Sequence, residues 1–172
     1  MKYGEKGFTL LETVIAIALI AVATGSAGAA IFQVFRGTER NNDYITAVRQ
    51  VHNAGYWISR DTQMAQSVTT EPDFLTLSWT EDATGDPIYH SVTYSFEDLT
   101  DGIGKLKRSH VSSAGADEET LVAQYIYYDP NDVNDTSKAS YEQPVLTVQL
   151  TTIFEEARET REYRITHRAS LY

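Results

Sequence analysis

From Thr13 to Phe35 the chain carries no charged side chain, and the residue just before this run is Glu12. No other stretch limits the fold so tightly. As a helix the run is about 34 Å long at about 1.5 Å per residue, enough to cross the ~30 Å hydrocarbon core of a bilayer. A helix buried in a soluble core is disfavoured by that length. The acid at the head of the run needs a reason, because a charged side chain costs about 2.5–3.5 kcal/mol at mid-bilayer on insertion scales, less near the interface.

Two readings compete for such a segment. A secretory signal peptide would use Val14–Ala23 as its apolar region and Ala21-Val22-Ala23 or Ala27-Gly28-Ala29 as its cleavage site. Glu5 and Glu12 argue against it, since acids are unusual in and before such a region. A plain single-pass anchor would leave Glu12 among the headgroups without further purpose, and the chain would then be a membrane-anchored extracellular binding module for a surface, a glycan or calcium, not built into a filament.

A third reading rests on the order Gly7-Phe8-Thr9-Leu10-Leu11-Glu12 opening an apolar helix. It closely resembles the N-terminal signature of type IV prepilins and of the pseudopilins of type II secretion, and it is the reading adopted here. The resemblance implies that a membrane-embedded prepilin peptidase and methyltransferase cuts between Gly7 and Phe8 and N-methylates Phe8. It implies that Glu12 pairs with the N-terminal ammonium of a neighbouring subunit, two opposite charges in a low-dielectric filament core. It divides the chain into a leader (1–7), a transmembrane and filament-core helix (8–35) and an extracytoplasmic head (36–172). The implied partners are other pilin or pseudopilin subunits, the assembly-platform membrane protein and the lipid bilayer. The implied place is the cytoplasmic membrane, then a filament.

Counting basic residues gives no orientation: Lys2 and Lys6 precede the span, Arg36 and Arg40 follow it. An outer head is therefore implied by the resemblance alone. Many pilins carry a proline within this helix; here none occurs before Pro72, and Thr24-Gly25-Ser26-Ala27-Gly28 stands instead. Glycine costs about 1 kcal/mol in a helix interior relative to alanine. Two readings of that weak point stay open, close packing of small residues against another helix and a local melt on leaving the bilayer.

Beyond the span, Tyr44, Val48, Val51, Gly55, Ile58, Thr62 and Ala65 share one helical face, which predicts a helix ending near Gln66–Thr70. Whether Asn41-Asn42-Asp43 interrupts it or caps a second helix stays open. Alternation then predicts strands over 73–79, 88–96, 105–111, 120–128, 144–154 and 160–171, the last two joined around Glu155–Glu159. Turns fall at Thr80–Pro87, with Gly85-Asp86-Pro87 inside it, and at Asp101-Gly102-Ile103-Gly104, and 112–119 and 129–143 read as polar loops. The expected fold class is α+β and pilin-like: a long N-terminal helix, half transmembrane and half amphipathic, packed against an antiparallel β-sheet head. The order of elements loosely resembles the J-type and W-type minor subunits, with Asp61 near the helix end and a basic last strand, Arg164–Arg168.

Lys2, Lys6, Glu5 and Glu12 cancel, so the whole net charge of −10 lies after Phe35. Such a surface repels nucleic-acid phosphates, and no nucleic-acid partner is expected. With no cysteine there is no disulfide framework and no thiolate metal site. The four histidines are isolated in sequence, with no HExxH, GxSxG or P-loop, so the chain does not read as an enzyme. His90, on an apolar strand face, reads as a core histidine. Asp129, Asn131, Asp132, Asn134 and Asp135 gather oxygen atoms that suit calcium, but lack the mid-loop glycine and closing glutamate of an EF-hand. An ordinary solvated loop is the better reading there. Tyr127 and Tyr128, on opposite faces of a strand, place at least one ring outward or at a subunit contact.

Overall fold

The computed structural model describes residues 7, 9–70, 74–82, 86–115 and 117–167. One helix, α1 (Leu10–Met64), precedes eight strands among these residues. They are β1 (Ser67–Thr69), β2 (Leu75–Glu81), β3 (Ile88–Thr100), β4 (Ile103–Ser112), β5 (Glu118–Tyr127), β6 (Lys138–Glu142), β7 (Val145–Phe154) and β8 (Ala157–Thr166). The architecture is α+β and pilin-like, as expected. The chain falls into two compact units, one up to Asn41 and one from Asn42 on. Helical geometry nevertheless runs through Asn41-Asn42-Asp43 without a break.

In the second unit, a curled antiparallel sheet runs in the order β1-β2-β3-β4-β5-β7-β6, with β8 also on β7. Strand alternation decides its faces. Leu75 and Leu77, Val92 and Tyr94, Leu106, and Leu146, Val148 and Leu150 point inward and are buried. Against them lie Val51, Ala54 and Ile58 of the helix and Ala65 just beyond its end. The buried stripe is turned slightly from the expected one: Tyr44 is 48% exposed, while Asp61 is fully buried.

Where β5 bulges against β4, the ladder shifts register between Gly104 and Leu106 and again between Leu106 and Lys107. Polar helix residues serve the backbone there. Gln50 Oε1 accepts from Gln124 N at 2.8 Å, and Asn53 Nδ2 donates to the Val122 carbonyl. Thr152 Oγ1 donates to Ala47 O at 3.0 Å and Tyr163 Oη to Val51 O at 3.2 Å. A helix thus pinned by directional bonds has one axial register on the sheet.

Several boundaries differ from expectation. The helix stops at Met64, because Gln66–Thr70 turns back into β1, which pairs Ser67 with Ser78. Residues 71–73 and 83–85, where Pro72 and Gly85 were expected to punctuate, lie outside the described residues. The β3–β4 turn is shorter than expected: it is the two residues Asp101 (φ 51°) and Gly102 (φ 78°), a left-handed pair that suits a tight hairpin, and Ile103 and Gly104 already belong to β4. Within the polar stretch 129–143 lies an unexpected strand, β6, whose Ala139 and Tyr141 pack against the core. The last hairpin closes on Glu155-Glu156 rather than over Glu155–Glu159, so β8 begins at Ala157. The residues from 168 on, part of the expected basic strand, lie outside the described residues.

Candidate functional site

Thr9 stands three residues before Glu12, the spacing of a capping box. Thr9 Oγ1 accepts from Glu12 N at 3.3 Å, and Thr9 N donates to Glu12 Oε2 at 3.4 Å. Two donors of the first helical turn are satisfied within the chain, and the carboxylate sits where the helix dipole favours a negative charge. Glu12 therefore has a local role that the reading above missed, although Thr9-x-x-Glu12 is its sequence signal. Gly7 is exposed, and Phe8 lies outside the described residues.

Nothing in the described chain covers the apolar run that follows. Ile17 is 62% exposed, Leu19 67%, Ile20 65% and Val34 68%. At Gly25 and Gly28 a side chain would stand in open space. Length and composition suit a membrane crossing. The hydroxyls inside the run are turned onto their own helix: Thr24 Oγ1 donates to Ile20 O and Ser26 Oγ to Val22 O, both at 2.8 Å. That satisfies them without water, as an apolar surrounding demands. Such an apolar surface is accounted for by lipid or by other subunits.

In the second unit the chemistry concentrates where α1 ends. Asp61, fully buried, lies in the last turn, where the helix dipole disfavours an acid. Arg108 compensates from the inner face of β4. Its Nε donates to Asp61 Oδ2 at 2.7 Å and its Nη2 to Oδ1 at 3.3 Å, and Tyr94 Oη donates to Oδ2 at 2.6 Å. The guanidinium lies 5.1 Å from the Trp57 ring centroid. Burial and the neighbouring Asp61 carboxylate push the Tyr94 hydroxyl far above its ordinary range, so it stays a donor. Burial disfavours the Arg108 charge, but the hydrogen bond and charge of Asp61 outweigh it and hold the pKa above its usual value. The sequence pattern held two hints: Asp61 lies on the helical stripe of Ile58, Thr62 and Ala65, and Arg108 alternates with Leu106 on an inward strand face.

Beside this cluster, His90 and His110 are joined Nδ1 to Nε2 at 3.1 Å, and both stack on Trp79. His90 is half-buried at the edge of the core and is not the satisfied core histidine expected, because one ring nitrogen has no hydrogen bond. Its Nε2 lies 3.4 Å from Glu81 Oε2, but the geometry does not make a hydrogen bond.

The five oxygen-bearing residues of the late loop are brought into one turn-rich segment, with their carboxylates already engaged. Asp129 Oδ1 accepts from Asn131 N at 2.8 Å; Asp132 Oδ1 accepts from the backbone of Asn134 and Asp135, each at 3.1 Å. Arg158 Nη1 donates to Asp135 Oδ2 at 2.9 Å. These backbone bonds, that from Asp135 first, hold the Asp132 carboxyl below its usual range. Among the described residues no three acidic, histidine or cysteine side chains converge as a metal site. Tyr127 and Tyr128, expected to place at least one ring outward or at a subunit contact, are both half-buried and also find partners inside the head. Tyr127 bonds Asp132 at 3.2 Å, and Tyr128 stacks on Phe96 with centroids 4.5 Å apart.

Residues 2–28 match the prokaryotic N-terminal methylation motif. The match takes in Gly7 to Glu12 and about two thirds of the apolar run, and it stops short of the head. Together with the exposed apolar helix, it supports a pilin-like subunit of type IV pili or pseudopili, anchored in a membrane. No curated protein and no solved structure matches the chain.

Proposed function

We propose that this chain is a minor pilin-like subunit, made as a prepilin in the cytoplasmic membrane and built into a type IV pilus or type II secretion pseudopilus, where it starts or tips the filament. The prepilin peptidase cuts between Gly7 and Phe8 and its methyltransferase activity caps Phe8. The helix then passes, through the assembly platform, from bilayer to filament core, leaving the head outside the cytoplasm. The chain's own task is mechanical. The observation that carries the reading is the unpaired apolar helix, headed by one acid and by the methylation motif. Glu12 meets the Phe8 ammonium of a neighbouring subunit. The absent helix proline and the large head, with eight strands among the described residues, favour a minor subunit of the J or W type.

The capping box supplies the test. Glutamine at position 12 retains the cap but not the charge, whereas alanine removes both. The reading expects Glu12→Gln and Glu12→Ala to be cleaved normally and to fail equally in filament incorporation. If Glu12→Gln assembles as wild type while Glu12→Ala fails, the acid is a cap and the ammonium pairing is wrong. Mass spectrometry of the membrane-extracted protein checks the cut itself, and Phe8 still joined to Gly7 refutes the whole proposal.

A further inference from the structure

The outer face of the sheet divides into two halves of different chemistry. Toward the β3–β4 turn it is an ordinary solvated face: Lys107 Nζ bridges Glu97 at 2.7 Å and Glu119 at 3.6 Å. Toward the opposite end it carries no charged side chain over β1, β2 and the start of β3, in a chain that is 22% charged. A solvated sheet face near an edge strand is normally protected by charge. This one departs from that habit.

The uncharged half holds a hollow of about 470 Å³. Strand register puts Ser67, Ser78 and Ser91 side by side across β1, β2 and β3 as its floor. Their side chains project opposite to Trp79 and His90, whose rings belong to the inner face. None of the three hydroxyls bonds another described residue, so donors and acceptors are available in the hollow. Thr80 and two exposed apolar surfaces form the rim, Tyr89 at 61% exposure and Val111 at 47%. Small residues on the floor make the depth; an aromatic ring at the edge makes a platform.

This chemistry selects a ligand class. With no lysine or arginine in the lining, the His90 ring turned to the inner face, and Glu81 and Asp82 at the end of β2, an anion meets no fixed positive charge. With no carboxylate in the lining a cation has none either. A purely apolar ligand would leave the serine hydroxyls buried and unpaired, at a cost of about 1–3 kcal/mol for each group. A ring that presents hydroxyls at its edge and carbon-bound hydrogens on its face satisfies both the floor and Tyr89. We propose that this hollow is a binding site for neutral oligosaccharide, with Tyr89 stacking on one sugar ring and Ser67, Ser78 and Ser91 bonding its hydroxyls. The site stands on the head alone and does not depend on filament assembly.

The test uses the full chain in a detergent without a sugar headgroup, with maltotetraose, cellotetraose and chitotetraose as probes in saturation-transfer NMR. At least one should bind saturably to the wild type, and Tyr89→Ala should weaken it about tenfold, the loss of one stacking contact. Ser91→Phe, which fills the floor, should abolish binding, while Thr166→Ala on the outer face of β8 should leave it unchanged. No saturable transfer from any of the three overturns the proposal. So does binding undiminished in both Tyr89→Ala and Ser91→Phe, or preference for anionic tetragalacturonate over the neutral probes.

Discussion

Replacing Arg108 by methionine tests whether the end of the helix is held by charge or merely by packing. At the 2.7 Å contact and an effective dielectric of about 20, the gross attraction between Arg108 and Asp61 is ~6 kcal/mol. Desolvating two ions costs several kcal/mol each, so the intact pair contributes roughly nothing net. Removing Arg108 alone is a different matter. The Asp61 carboxylate would stay fully buried with Tyr94 as its one remaining side-chain donor. Breaking a buried pair in this way costs about 3–5 kcal/mol. The Arg108→Met, Asp61→Asn double variant removes both charges and should recover most of that loss. Urea unfolding of the full chain in detergent, followed by tryptophan fluorescence, reads both numbers, because Trp57 lies against the guanidinium. A single variant that loses less than about 1 kcal/mol, or a double variant no better than the single, would refute the argument that charge desolvation dominates here.

Gly55 packs against the Tyr163 ring so closely that a Cβ there would overlap it, and Tyr163 is tied to the Val51 carbonyl. Gly55→Ala should therefore destabilise by about 1–3 kcal/mol despite the helix-propensity gain, with partial rescue by Tyr163→Leu; thermal unfolding measures both. Burial, the neighbouring Arg108 charge and His90 hold His110 below its ordinary value of 6.5, with Asp61 and Glu118 opposing. The unfolded chain thus binds the proton first, so stability present above about pH 6.5 should fall as pH drops through the folded value. His110→Gln should flatten that dependence of melting temperature on pH. Thr9→Val, which breaks the capping box, should lower the helicity of the first turns at a cost of about 1 kcal/mol, seen as faster amide exchange near Glu12.

The long span, the class of fold and the Asp101-Gly102 turn were legible because each rests on local chemistry. Twenty-odd uncharged residues, an alternation of period two, or a glycine at positive φ announce themselves within a short window. What escaped was mostly composition that misleads. Lys138-Ala139-Ser140-Tyr141-Glu142 sits in a polar stretch, and only its pairing with β7 makes it a strand. Gln66 ends the helix because its side chain takes up the backbone of Thr80, a contact across fourteen residues.

By itself, then, the sequence determined a single uncharged helical run, headed by an acid and long enough to cross a bilayer. Tertiary structure alone decided where the polar residues of the head would count. Asp61 and Arg108 stand 47 positions apart, and the stripe and the alternation that point each of them inward do not show that they meet. Ser67, Ser78 and Ser91 look like filler. Burial and strand register belong to pairs of distant residues, so no local window contains them, and those two quantities turn one set into an anchor and the other into a hollow.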